Sequence, residues 1–260
     1  MSPSRMPAVF IGHGSPMNAL EDNRHTRVWK NLGESLPRPK GIVAISAHWY
    51  TRGAGITAMP QPRTIHDFYG FPPALFAQNY AAPGDPTLAM RVQELLRPIA
   101  VAADQQWGLD HGTWSVLVHL YPRADIPVVQ LSIDATQAAQ YHYEVGRQLA
   151  ALRDEGVLIF GSGNVVHNLG LIKWTAGADA YPWAMSFNEQ LRGALSRGDH
   201  DFAIQYGRAG EAASLSIPTP EHYLPLLYVL GAQSPQEAIS FPTDGIELGS
   251  VSMLAVLVGG

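Results

Sequence analysis

The sequence predicts an α/β fold: a single domain over residues 1–260, a mostly parallel central sheet flanked by helices, and a metal site at the carboxyl ends of strands. Three observations lead there. Short apolar runs at Pro7–Gly12, Gly41–Ala47 and Val157–Phe160 are too brief for a helical period and read as buried strands. Helical segments stand between them, the alternation that builds parallel βαβ units. Each run also leads to a histidine: His13 between Gly12 and Gly14, His48 at the end of its run, and His167 after Gly161-Ser162-Gly163. Strand carboxyl ends are where open α/β sheets bind ligands, so these three side chains are candidates for one site.

The remaining elements follow in order. Residues 23–36 read as a helix stopped by Pro37 and Pro39. Residues 54–58 form a short strand, and the prolines and glycine from Pro60 to Pro73 then rule out regular structure. Within that stretch Thr64-Ile65-His66-Asp67-Phe68-Tyr69-Gly70-Phe71 reads as a lid or substrate wall, because long loops carrying aromatics and a histidine are commonly functional. Asp85-Pro86 begins a helix in the preferred way, a capping aspartate followed by proline, and it runs to about Arg97. A strand is expected at 99–102, and His111 in a glycine-bounded turn before an apolar helix, Ser115–Leu120. Pro127–Ile133 reads as a strand, 136–153 as a helix, and the region from Pro182 as helical around 184–196 and 201–207. Glu221 and His222 are placed in the first turn of a buried helix, and Gly249–Val258 is a strand inserted in the sheet.

Composition narrows the function. At 260 residues and 46% hydrophobic, the chain can bury a full core. A formal charge of -5 gives no basic field for nucleic acid or an anionic membrane surface. No apolar run approaches a membrane span and no charged leader precedes one, so a cytoplasmic protein is expected. With no cysteine, thiolate ligands and nucleophiles are impossible. HExxH, P-loop and G-x-S-x-G motifs are missing, which removes zincins, P-loop NTPases and ordinary α/β hydrolases as motif-based readings.

Ten histidines are many for a chain with 15% charged residues. His13, His48, His111, His167 and His222 sit at element ends beside glycine, serine or proline, whereas His25, His119, His142 and His200 fall in or beside helices and read as structural. Neutral imidazoles on rigid strand ends suit Zn, Fe, Cu and Ni alike.

Five separated stretches carry a resemblance: Gly12-His13-Gly14-Ser15-Pro16-Met17, Ser46-Ala47-His48-Trp49, Asp110-His111-Gly112-Thr113-Trp114, Gly163-Asn164-Val165-Val166-His167-Asn168 and Pro220-Glu221-His222-Tyr223-Leu224-Pro225. Together, colinear from about Met6 onward, they resemble the 4,5-DOPA extradiol dioxygenase family, of the class III, LigB-type ring-cleavage dioxygenases. The resemblance implies a non-haem metal on His13, His48 and His222, with His167 as acid/base and possible fourth ligand. It places His111 beside the substrate as a second proton carrier and His66 on the pocket wall. It implies Fe(II) for chemistry, a catechol and dioxygen as substrates, and a ring-opened semialdehyde as product. Zn(II) is compatible with an all-histidine site, and a zinc-dependent hydrolase using the same histidines is the alternative reading. A non-catalytic metal- or small-molecule-binding protein on the same fold is a third. Adjacent residues in a helical turn point about 100° apart, so one of Glu221 and His222 is expected to bind, with His222 preferred. Oligomeric state is not read from the sequence.

Overall fold

A computed structural model describes residues 5–175 and 177–260. In chain order the elements are β1 (Ala8–Gly12), α1 (Arg24–Ser35), β2 (Gly41–Thr51), β3 (Ala54–Thr57), α2 (Pro73–Phe76), α3 (Pro86–Leu95), β4 (Val101–Asp104), α4 (His111–Leu120), β5 (Val128–Asp134), α5 (Ala139–Leu149), α6 (Ala151–Asp154), β6 (Val157–Gly163), α7 (Pro182–Ser196), α8 (His200–Ile204), α9 (Glu211–Ser216), α10 (Leu224–Gly231), β7 (Ile239–Ser240), β8 (Ile246–Glu247), β9 (Val251–Ser252) and β10 (Ala255–Val258). Eight strands form one sheet in the order β4-β3-β5-β2-β6-β1-β10-β7, and β8 pairs with β9 in a separate hairpin.

The centre of the sheet, β5-β2-β6-β1, is parallel throughout, while β3 and β10 join it antiparallel on either side. Parallel strands are covered on both faces, and this explains why β1, β5 and β6 are buried at every position. On one face, Phe10, Val43, Ile45 and Ile159 pack with α10, whose Leu226, Leu227 and Val229 are fully buried. On the other, Val9, Ile11, Ile42 and Phe160 pack with Trp29 of α1 and with Trp114 and Leu117 of α4.

Local chemistry sets the helix starts. The Asn23 side chain accepts the His25 and Thr26 backbone N–H groups and Thr26 returns a bond to Asn23, a reciprocal cap that fixes α1. Asp85 caps α3 ahead of Pro86, as its sequence predicts. The α4 helix starts at His111, four residues earlier than expected. Asp110 accepts the Thr113 N–H, and an Asp67 carboxylate oxygen, 2.9 Å away, takes the His111 N–H, so the Gly112 position is held helical. Glu221 and His222 lie in the turn that precedes α10 rather than in its first turn.

Other boundaries also differ. The strand expected at 99–102 is β4 at 101–104, because Ile99 closes the turn after α3 with an N–H bond to the Leu96 carbonyl. The 136–153 segment is two helices, α5 and α6. The closing 249–258 run divides at Met253-Leu254: β9 pairs with β8, and β10 alone enters the sheet. Among the described residues no helix is long and apolar enough to cross a membrane.

A buried cation closes the far side of the fold. Arg153 is fully buried; it donates to the Met6 and Ala232 carbonyls and forms a two-pronged pair with Glu237. Neutralising its partner leaves that guanidinium uncompensated in the core. Glu237→Gln is expected to lower unfolding free energy by about 3 kcal/mol, read from the midpoint of urea denaturation at neutral pH.

Candidate metal centre

His13, His48 and His222 come together at the carboxyl end of the parallel strands, with one candidate ligand atom from each within 4.8 Å of the others. His13 follows the last residue of β1, and its backbone N–H bonds the Gly163 carbonyl at the end of β6. His48 lies in β2 where the register with β5 shifts between Ile45 and Tyr50. Such an irregularity re-aims a side chain that regular pleating would direct elsewhere. The His222 carbonyl accepts the Asn164 N–H, which ties the turn before α10 to the end of β6.

Two glycines make this convergence possible by close approach. A methyl group on Gly163 would stand 2.1 Å from the His222 carbonyl oxygen. One on Gly112 would stand 2.5 Å from Ser46 Oγ and 2.9 Å from His48 Cδ2. Both glycines lie in the motifs singled out from the sequence.

Each of the three rings has an oxygen at Nδ1. Ser162 Oγ lies 3.0 Å from His13 Nδ1, and because that hydroxyl donates to the Gly112 carbonyl, it accepts from the ring. Asp67 Oδ2 is 3.3 Å from His48 Nδ1, and Glu221 Oε1 is 3.3 Å from His222 Nδ1. With protons on Nδ1, the Nε2 lone pairs remain for a ligand. The Nε2 atoms of His13 and His48 face one another at 3.3 Å, a separation close to the edge of a tetrahedron of nitrogens bound at ~2.05 Å.

The electrostatics agree. Burial, reinforced by the neighbouring imidazoles, holds His13 and His222 well below the ordinary histidine range, and lowers His48 to about 3. His167 is lowered to about 4 by burial, partly offset by Glu221. These rings are therefore neutral at neutral pH, the state in which imidazole binds a metal. A neutral, buried, all-nitrogen donor set fits a divalent transition metal.

His167 stacks on His222 with ring centroids 3.5 Å apart and planes within 8°, its backbone fixed by an N–H bond to the Ser216 carbonyl. His111 packs on His48 at 3.9 Å between centroids. The two thus sit at opposite ends of the triad. His66 is not in the cluster: its Nε2 bonds the Gln78 carbonyl and its ring contacts Phe68, Phe76 and Trp114. Phe68 stands between, edge-on to His111.

Sequence reasoning missed Asp67, which touches both His48 and His111. The available signal was chemical, since ligating histidines ordinarily rest their second nitrogen on an oxygen, and Asp67 lies in the aromatic loop next to the histidine that was chosen instead. Asp110 was missed as a buried carboxylate. Burial, then the charge of Asp67, pushes it up to about 6, and it is held by Gln130 beside its capping contacts. The four histidines read as structural are dispersed: His25 bonds Glu247, His119 the Asn18 carbonyl, His142 the Tyr228 hydroxyl and His200 the Tyr143 hydroxyl.

Residues 7–247 match the family model described as the catalytic LigB subunit of aromatic ring-opening dioxygenase. The chain belongs to this family. Relatives named 4,5-DOPA dioxygenase extradiol occur in Escherichia coli, 58% identical with 100% of this chain and 97% of the relative aligned, and in Beta vulgaris, 40% identical with 91% of each covered. A crystal structure of an uncharacterised protein from Escherichia coli K12 superposes with a TM-score of 0.86 at 54% identity, covering 98% of this chain and all of that one. As a LigB protein the chain is an oxidoreductase, an extradiol ring-cleaving dioxygenase of a class that uses a non-haem metal, a small aromatic substrate and dioxygen.

The depressed histidines have a stability consequence. Unfolded histidines take up protons near pH 6.5, whereas folded His48, His167 and the non-site His142 do so only near 3 to 4. Between those limits the unfolded chain binds more protons, so metal-free protein is fully stabilised by this effect above about pH 6.5 and loses stability as pH falls toward 4. Urea midpoints at stepped pH on chelator-treated protein should decline over that window, and His142→Phe should flatten the slope without touching the metal centre.

Proposed function

We propose that the chain is, throughout its length, one catalytic domain that opens catechols of the DOPA type by extradiol cleavage, with His13, His48 and His222 holding Fe(II). The observation that carries this reading is the convergence of three neutral imidazoles flanked by two further histidines, in a chain 58% identical to a protein named for that activity. Zn(II) suits the same donors but has no redox chemistry, so zinc-loaded protein is expected to be inert as a dioxygenase. When bound, Fe(II) supplies the redox-active centre at which a catechol and dioxygen meet.

The protein's own contribution is positional and protonic. His167 is neutral, so the ring nitrogen that carries no proton accepts one from a catechol hydroxyl, at a position set by stacking on His222. Beside this base, His222 would hold the metal and Glu221 would orient it, its Oε1 lying against the His222 ring and accepting from the Thr219 hydroxyl. His111, at the other end of the triad, takes the proton of the second catechol hydroxyl and gives it back as the ring opens. With no substrate bound, His167 would be available as a fourth ligand. Phe68 and Phe71 provide an apolar wall for the aromatic ring, with His66 bracing that wall through Phe68 and Phe76. An apolar wall beside the reacting centre keeps water from that side, which strengthens each electrostatic contact there. Both oxygen atoms end in the product, a ring-opened semialdehyde that is yellow for a DOPA-like substrate.

Oxygen uptake by Fe(II)-reconstituted protein with L-DOPA, together with a rise in visible absorbance, tests the reading; zinc-loaded and anaerobic samples should give neither. Absence of uptake over a catechol panel, with metal confirmed in the site, would overturn it. His167→Ala is expected to lower kcat by at least about a hundredfold while retaining stoichiometric metal, and His222→Ala to lose the metal itself, measured by elemental analysis after gel filtration.

A further inference from the structure

The aromatic loop brings a single carboxylate against both a member of the triad and its flanking acid/base. Asp67 Oδ2 lies 3.3 Å from His48 Nδ1 and 3.0 Å from His111 Nδ1, while Oδ1 accepts the His111 backbone N–H at 2.9 Å. The three N–H sites around one carboxylate come from two elements, β2 and the first residue of α4. We propose that Asp67 is the positioning residue of this centre, fixing the Nδ1–H tautomer of His48 and of His111 together, so that both rings turn an unprotonated Nε2 into the site.

The argument is electrostatic and geometric. A carboxylate has no proton to donate, so a ring nitrogen facing it at this range is favoured as N–H and strongly disfavoured as a bare lone pair. The His111 Nδ1 approach lies off the line of a straight hydrogen bond, and His111 Nδ1 has no other hydrogen-bond partner among the described residues, although the atom is buried. Repulsion between an Nδ1 lone pair and the carboxylate decides the tautomer there without a linear bond. For His48, the same proton placement leaves Nε2 opposite His13 Nε2, where a metal would bind.

The loop is built to hold the carboxylate still. Ile65 N–H bonds the Leu109 carbonyl at 2.7 Å, Leu109 N–H bonds the Arg63 carbonyl at 2.9 Å, and Trp114 Nε1–H bonds the Ile65 carbonyl at 2.8 Å. His66 Nε2 adds the contact with the Gln78 carbonyl on the far side. The backbone leading into Asp67 is thus anchored to the segment that carries His111. Because Phe68 follows directly and meets His111 edge-on, the same loop orients the acid/base and walls the pocket.

This inference rests on the metal-centre reading for the role of His48, but its tautomer arm does not. In 15N-histidine-labelled wild-type protein, metal-free at pH 7.5, two-bond 15N–1H correlations should show His48 and His111 both as Nδ1–H. In Asp67→Asn the amide keeps its oxygen on the His111 backbone N–H and turns its NH2 toward the rings, so His111 should switch to Nε2–H. Zn(II) affinity by competition titration should fall about tenfold to a hundredfold. In the Fe(II) enzyme the loss should appear in kcat, with KM for L-DOPA changed less than threefold. Wild-type His111 found as Nε2–H would overturn the proposal without any variant. A folded Asp67→Asn protein with unchanged tautomers and Zn(II) affinity would overturn it too. Wild-type protein that binds no Zn(II) would instead refute the metal centre, and the tautomer measurement would still decide the role of Asp67.

Discussion

Everything at the functional end of this fold depends on burying imidazoles together in the neutral state. A histidine in water is half protonated near pH 6.5, and charged rings at these separations would repel one another. Removal from water tips each ring to its neutral form, and an oxygen at each Nδ1 then selects which nitrogen keeps the proton. In that tautomer the three rings would offer lone pairs to a common volume, arranged before any ligand arrives. Preorganisation of this kind spares the protein a rearrangement on binding.

The sheet makes the burial achievable. Parallel strands end side by side, so β1, β2 and β6 bring His13, Ser46 and Ser162 to one edge without long loops. The turn before α10 closes over that edge because Gly163 has no side chain to obstruct the His222 carbonyl. On the other side α4 approaches β2 through Gly112, whose missing side chain leaves space for Ser46 and His48. A side chain at either glycine would force its neighbours apart.

The stabilities of the two halves of the molecule are different in kind. Apolar contact dominates along the strands, where Phe10, Ile45, Ile159 and Phe160 are fully buried. At the site, polar groups are equally buried and must be paired: Ser162 with His13 and Gly112, Asp110 with Gln130 and Thr113, Asn164 with Ser252. These bonds interlock around the site, while Tyr69 of the aromatic loop and Trp174 after His167 stay largely exposed.

Much of this was readable from the sequence. Apolar runs ending in glycine and histidine fix the parallel strands and their functional end, and five separated motifs carry His13, His48, His111, His167 and His222 into one family pattern. Such signals survive in one dimension because strand period, turn chemistry and ligand type are local properties. What the tertiary structure alone decided is which atoms meet. The register shift at His48, the Asp67 carboxylate lying between two histidines distant in sequence, and the meeting of His13, His48 and His222 are contacts between segments far apart in the chain, 174 residues in the case of His48 and His222. The helix start at His111 has the same origin, since part of its cap comes from a loop 44 residues earlier. Spacing along a chain carries no record of such approaches; packing of the sheet, the close passage at Gly112 and Gly163, and the anchoring of the aromatic loop determine them.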